Sequence, residues 1–191
     1  MTEKSSPVPP DSSSQPLHAP KHVRWQSRLL FFVALLCVLG VFFLPGDSDE
    51  PGRAPDGRLA DASGDDIDLD SVMAPVTLVH FWSTWCPPCV EETPAIQRLA
   101  AHYSNRPEFA LVMIAVADDK DAVGEFLEGA DGSYYDDNWK VANSFGTEKL
   151  PETHLVVDGI VVRSFIGVTD WDSQAVRRSI NDALNAAAGR G

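Results

Sequence analysis

The chain has 191 residues, 44% of them hydrophobic and 23% charged, which is enough apolar material for one sizeable core. Its 28 acidic and 15 basic side chains leave a net charge of −13, a poor match for nucleic acid or an anionic membrane surface. Three cysteines are too few for the disulfide framework that staples a small secreted domain.

Residues 1–28 begin with a Pro- and Ser-rich stretch almost without large apolar side chains, so they cannot offset the entropy of ordering and are expected to form a disordered cytoplasmic tail. Residues 29–44, "LLFFVALLCVLGVFFL", contain no charge and as a helix would span about 24 Å. That is slightly short of a hydrocarbon core, but Trp25 can sit at the interface and Arg28 can snorkel. A signal-peptide core would look similar. No small-residue cleavage site follows Phe42, Phe43, Leu44 and Pro45, and the basic stretch is preceded by a long tail, so an uncleaved transmembrane anchor is the favoured expectation. Cys37, inside the run, reads as a small hydrophobe.

Lys21, Arg24 and Arg28 precede the run, whereas Asp47, Asp49 and Glu50 follow it. The positive-inside rule then keeps the tail in the cytoplasm and exports the rest, giving the expectation of a single-pass protein with an extracytoplasmic domain. Residues 1–44 hold four basic and two acidic side chains, so the remainder carries −15 and suits a neutral or basic partner. Residues 45–64, with Pro, Gly and acidic side chains, are expected to be a linker, and 65–191 the folded domain.

Within that domain "TLVHFW" (77–82) and "FALVMIAVA" (109–117) predict buried strands, and Ile96, Leu99, Ala100 and Tyr103 between them fall at helical spacing. A strand, helix, strand unit implies a parallel pair with a right-handed crossover. Val123, Phe126 and Leu127 predict a short helix; Trp139, Val141, Ala142 and Phe145 predict another, ending at Gly146. "THLVV" and "IVVRSFIG", separated by Asp158 and Gly159, predict a hairpin. Trp171, Ala175, Val176, Ile180 and Leu184 mark one face of a closing helix. The fold class is α/β, with a central mixed sheet flanked by helices.

The chemistry concentrates at Cys86 and Cys89, which could be a metal clip, a structural staple or a redox pair. The loop between them is too small to be a useful staple. Structural zinc needs four ligands, and the sequence offers no second C-x-x-C or close His pair. A C-x-x-C beside a strand, helix, strand pattern fits a redox dithiol. At a helix N-terminus Cys86 meets free N–H groups and the positive dipole end, so it is expected to be the attacking, more exposed thiol and Cys89 the resolving one.

"VHFWSTWCPPCVEETP", followed by "KLPETHLVVDGIVVRSFIG", resembles the thioredoxin superfamily over roughly 57–188, and within it the TlpA/ResA/CcmG-like membrane-anchored thiol-disulfide oxidoreductases. The subgroup pattern W-C-x-x-C-x-x-E-x-P is matched by Trp85, Cys86, Cys89, Glu92 and Pro94. The resemblance implies a thioredoxin-like fold, a redox-active Cys86–Cys89 disulfide, and no cofactor or metal. It makes Pro151 a cis-proline facing the dithiol, Trp85, Leu150 and Pro151 the substrate edge, Glu92 the active-site acid and Pro94 a kink in the helix. Without the resemblance, an ordinary turn proline after Gly146 is the preferred reading of Pro151, and a solvated first-turn glutamate is at least as good a reading of Glu92. Protein clients, an electron donor of DsbD/CcdA type and a role in cytochrome c maturation are further implications.

His80 stands where thioredoxins carry a buried acid; beneath Cys89 it could exchange a proton near neutral pH, and an inert core histidine is an equal alternative. Glu152 stands where Thr is common beside the proline, and His154 where an apolar residue is expected. Pro87 and Pro88 lack N–H groups and Glu91 and Glu92 are acidic, so the thiolate is poorly stabilised and a reductant of protein disulfides is expected. The rival expectation is a copper metallochaperone using Cys86, Cys89 and a histidine such as His154, since thiolates suit Cu(I). The two-residue spacing weighs against it.

Overall fold

The computed structural model describes residues 52–128 and 133–189. The tail, the apolar run with Cys37, and the first part of the expected linker lie outside these residues. The described chain builds one eight-stranded sheet from β1 (Gly52–Arg53), β2 (Arg58–Ala60), β3 (Asp66–Asp68), β4 (Val76–Trp82), β5 (Phe109–Val116), β6 (Ser133–Asp136), β7 (Glu152–Val157) and β8 (Ile160–Ile166). The helices are α1 (Pro87–His102), α2 (Lys120–Phe126), α3 (Lys140–Ser144) and α4 (Gln174–Ala188).

The strand order is β1-β8-β7-β4-β5-β6-β2-β3. Strand β4 lies at the centre, parallel to β5 and antiparallel to β7. All seven residues of β4 are buried, as a strand covered on both faces requires. Alternation sends Val76, Leu78, His80 and Trp82 to one face and Thr77, Val79 and Phe81 to the other.

On the first face Val76 and Leu78 pack with Ile96 and Leu99 of α1 and with Val176, Ile180 and Leu184 of α4. Val123 of α2 joins Trp82, Met113 and Ala115 farther along the same face. On the second face Val79, Phe81, Val112 and Ile114 pack with Val141 and Ala142 of α3. The hairpin turn places Asp158 at φ 49° and Gly159 at φ 77°, the paired positive values that a two-residue turn needs to follow strand twist.

The expected linker requires a correction at its end, because β1 and β2 fall inside 45–64 and both pair into the sheet. Leu59 and Ala54 are buried in the α3 face. Gly57 permits the approach, since a Cβ there would stand 2.9 Å from a Val141 methyl. These strands are two and three residues long, too short for alternation to register. Strand β6, "SYYD", escaped notice for the same reason. Trp171, assigned above to the closing helix, precedes its cap: the Ser173 hydroxyl accepts from the Val176 N–H.

Leu78 is fully buried between α1 and α4. Replacing it with Ala should cost about 2–5 kcal/mol through lost burial and a residual cavity, read as a lower denaturation midpoint at an unchanged slope.

Candidate active site

The site is assembled where β4 and β5 end side by side, at the carboxyl ends of two parallel strands. Ser83 follows β4, and its hydroxyl donates to the Val116 carbonyl at 2.6 Å, tying the two strand ends together. Asp118, just beyond β5, accepts from the Thr84 backbone N–H and, at 2.8 Å, from the Thr84 hydroxyl. The exposed Trp85 ring donates its indole N–H to the Ala117 carbonyl at 3.0 Å. Three successive residues are thus held immediately before Cys86. Asp118 was not singled out from sequence, although an acid directly after a buried parallel strand is a usable signal.

Cys86 is the N-cap of α1, with Pro87 and Pro88 in its first two positions. Proline fits there because its N–H would be unpaired in any case. The Cys86 carbonyl accepts from the N–H groups of Cys89 at 3.0 Å and Val90 at 3.1 Å. The first amide of the turn that could face the Cys86 sulfur is therefore already engaged. Cys86 and Cys89 are joined as a disulfide, with Cα atoms 5.3 Å apart. Cys86 is 5% exposed and Cys89 0%, so an incoming group meets Cys86 first. The helix runs on through Pro94, and the Thr93 hydroxyl donates to the Cys89 carbonyl.

Glu92 lies one turn beyond Cys89 on the same face of α1 and is buried, not solvated. Its Oε2 accepts from the Thr169 N–H at 2.9 Å, while Oε1 has no partner within hydrogen-bond distance. Burial pushes the Glu92 carboxyl up; the Thr169 N–H and the nearby Trp171 indole act against this. Thr169 belongs to the segment after β8, where Gly167 donates to the Pro151 carbonyl at 2.9 Å. That segment thus links the acid to the proline, and its Val168 is exposed, as is Ile166 at the end of β8.

The Leu150–Pro151 bond is cis. Leu150 packs against the cluster that holds Cys86, Cys89 and Trp82. His80 is fully buried on the dithiol's side of the sheet, its Nδ1 2.8 Å from the Thr153 hydroxyl and its Nε2 without a partner. Its ring meets Trp171 edge-on at 6.4 Å. Burial lowers its pKa to about 3, so the imidazole takes a proton poorly at neutral pH.

His154 is not brought together with the cysteines. It pairs with Val79 and stacks near Phe81 and Phe145 on the face opposite α1. Both ring nitrogens are engaged, Nε2 with Thr147 at 2.8 Å and Nδ1 with Ser164 at 2.9 Å. The ligand set of the metallochaperone expectation therefore does not form through His154.

Neutral burial of His80 has a measurable consequence. Its lowered pKa means that the unfolded chain binds more protons than the folded one below pH 6.5, so its contribution is intact above that value and lost as pH falls toward about 3. His154, lowered to about 4, acts in the same direction, and the raised Glu92 and Glu152 act in the opposite one. In denaturant titrations between about pH 6 and pH 4, the stability difference between wild type and His80→Asn should shrink by about 1.4 kcal/mol per pH unit. A difference independent of pH would mean that His80 is not held neutral.

Comparison with known proteins agrees with this geometry. The family model "Redoxin" matches residues 49–184. The thiol-disulfide oxidoreductase ResA of Bacillus thuringiensis (strain Al Hakam) is 30% identical over 158 residues, covering 74% of this chain and 90% of that protein. ResA of Bacillus subtilis (strain 168) is 28% identical over 150 residues, covering 73% and 83%. Among solved structures, a thiol:disulfide interchange protein DsbE from Chlorobium tepidum superposes with a TM-score of 0.60 at 24% identity, covering 71% of this chain and 98% of its own, which supports the thioredoxin-like fold. With the dithiol at the N-terminus of α1 and the cis-proline after α3, the chain belongs to the redoxin family of the thioredoxin superfamily, as a TlpA/ResA/CcmG-like thiol-disulfide oxidoreductase.

Proposed function

We propose that the protein is a membrane-anchored, extracytoplasmic reductant of disulfides in client proteins. The observation that carries the direction of electron flow is the first turn of α1. Pro87 and Pro88 supply no N–H, the Cys89 N–H is taken by the Cys86 carbonyl, and Glu91 and Glu92 add acid nearby. A thiolate with so little stabilisation favours the oxidised enzyme, which makes the reduced form a donor of electrons.

In this mechanism the Cys86 thiolate attacks one sulfur of a client disulfide, forming a mixed disulfide and expelling the other client sulfur as a thiolate. Cys89, deprotonated in turn, attacks Cys86 and releases the second client thiol. Two electrons pass to the client, which takes up two protons, and Cys86–Cys89 is left oxidised. Glu92 is the proton acceptor for Cys89, because burial moves its pKa toward neutrality and its Oε1 is uncommitted. His80, at about 3, is the weaker base and serves to orient Thr153 beneath the site. Trp85, Leu150, Pro151 and the exposed Ile166 and Val168 form the apolar edge for the client.

The location rests on residues 29–44 and their charged flanks. An oxidising compartment requires that the dithiol be recharged, for which a membrane electron donor of DsbD/CcdA type is the proposed source. Preparation of apocytochrome c thiols is the proposed use.

Two measurements test this function. A Cys89→Ala variant should accumulate client proteins as mixed disulfides on Cys86, and the Cys86/Cys89 couple should lie below about −180 mV; a value near about −120 mV would instead mark an oxidant. Separately, Glu92→Gln should slow mixed-disulfide resolution by about 10- to 100-fold at neutral pH and remove a step from its pH profile. An unaltered profile would exclude Glu92 as the acceptor.

A further inference from the structure

Beside Pro151, on the face away from the dithiol, lies a buried polar cluster that the mechanism above does not use. Glu152 follows the cis-proline directly and is the first residue of β7; Thr147 and His154 are buried with it. The His154 Nε2 is 2.8 Å from the Thr147 hydroxyl and 3.4 Å from the Glu152 Oε1. Its Nδ1 is 2.9 Å from the Ser164 hydroxyl on β8. One donor order satisfies the cluster: Ser164 donates to Nδ1, the Nε2–H donates to Thr147, and Thr147 donates toward the Glu152 carboxylate, whose pKa it lowers against burial.

The chain between these partners is the loop that carries Leu150 and Pro151. Thr147 begins it, anchored by its own N–H to the Ala142 carbonyl at 3.0 Å. Glu152 ends it, paired with Phe81 and Ile166. Among the described residues, Glu148, Lys149 and Leu150 have no backbone hydrogen bond to hold them. One side chain, His154, therefore reaches both ends of a loop whose middle has no backbone hydrogen bond of its own and is held only through the apolar packing of Leu150. An apolar side chain at 154 would fill the space between Phe81 and Phe145 without desolvating an imidazole. The polar choice costs stability, and a fully connected buried network provides fixed geometry in exchange.

We infer that His154, acting with Thr147, is a positioning residue that clasps the Thr147–Glu152 loop and so sets where Leu150 and Pro151 meet a client polypeptide. The inference rests on the proposed action on protein disulfides. A small disulfide reaches Cys86 without lying along that loop, so the two kinds of substrate should respond differently.

The test uses the full-length chain, reduced beforehand, with insulin as the protein disulfide and oxidised glutathione as the small one. His154→Leu, and independently the isosteric Thr147→Val, should raise the insulin concentration for half-maximal rate by about three- to tenfold, with the glutathione rate changed less than about twofold. Thr147→Ser should restore the insulin value. An unchanged half-saturation for insulin in both variants would overturn the clasp, as would equal losses on both substrates, which describe general damage. A wild-type chain that reduces glutathione but never insulin defeats the proposed function itself, and is distinguished by needing no variant.

Discussion

The parallel pairing of β4 with β5 is the constraint on which the site depends. Both strands point their carboxyl ends to the same edge, and the chain must turn there to start α1. Ser83 closes the gap to Val116, and Asp118 grips Thr84, so the turn has little freedom before Cys86. Because α1 then crosses the first face against Leu78 and α4, its N-terminus is fixed relative to the sheet. The dithiol is held by strand ends and a packed helix, the rigid elements that a site needing sub-ångström placement requires.

Burial then divides the chemistry between the two faces. On the dithiol side, Glu92 and His80 are both desolvated, and desolvation acts in opposite directions on an acid and a base. The carboxyl is moved toward neutral pH, which is what supports the proton-acceptor role proposed for it; the imidazole is moved away and stays a neutral hydrogen-bonding group. The proton role that the sequence position suggests for His80 therefore suits its neighbour on α1 better. On the other face Glu152 and His154 experience the same desolvation and lie 3.4 Å apart, so their contact is polar more than ionic.

Much of the fold was legible because its strongest signals are local. The apolar runs at β4 and β5, the Asp158–Gly159 turn and the helical spacing from Ile96 to Tyr103 each state a period or a turn chemistry. Cys86, Cys89 and Glu92 were legible as a motif. Strands β1, β2 and β6 were not, since two to four residues carry no period and their pairing is made by backbone groups. Asp118 and Thr169 were missed because each acts through a partner more than thirty positions away.

The sequence by itself determined the redox pair, its order along the chain, the donor-poor first turn and the α/β class, all of which follow from residue identity and short-range spacing. Only the tertiary structure decided that Glu92 is buried with one free oxygen, that His80 is neutral, and that His154 faces away from the cysteines. The reason is physical. Identity and spacing are properties of neighbours along the chain, whereas desolvation and facing depend on which distant segments close over a side chain.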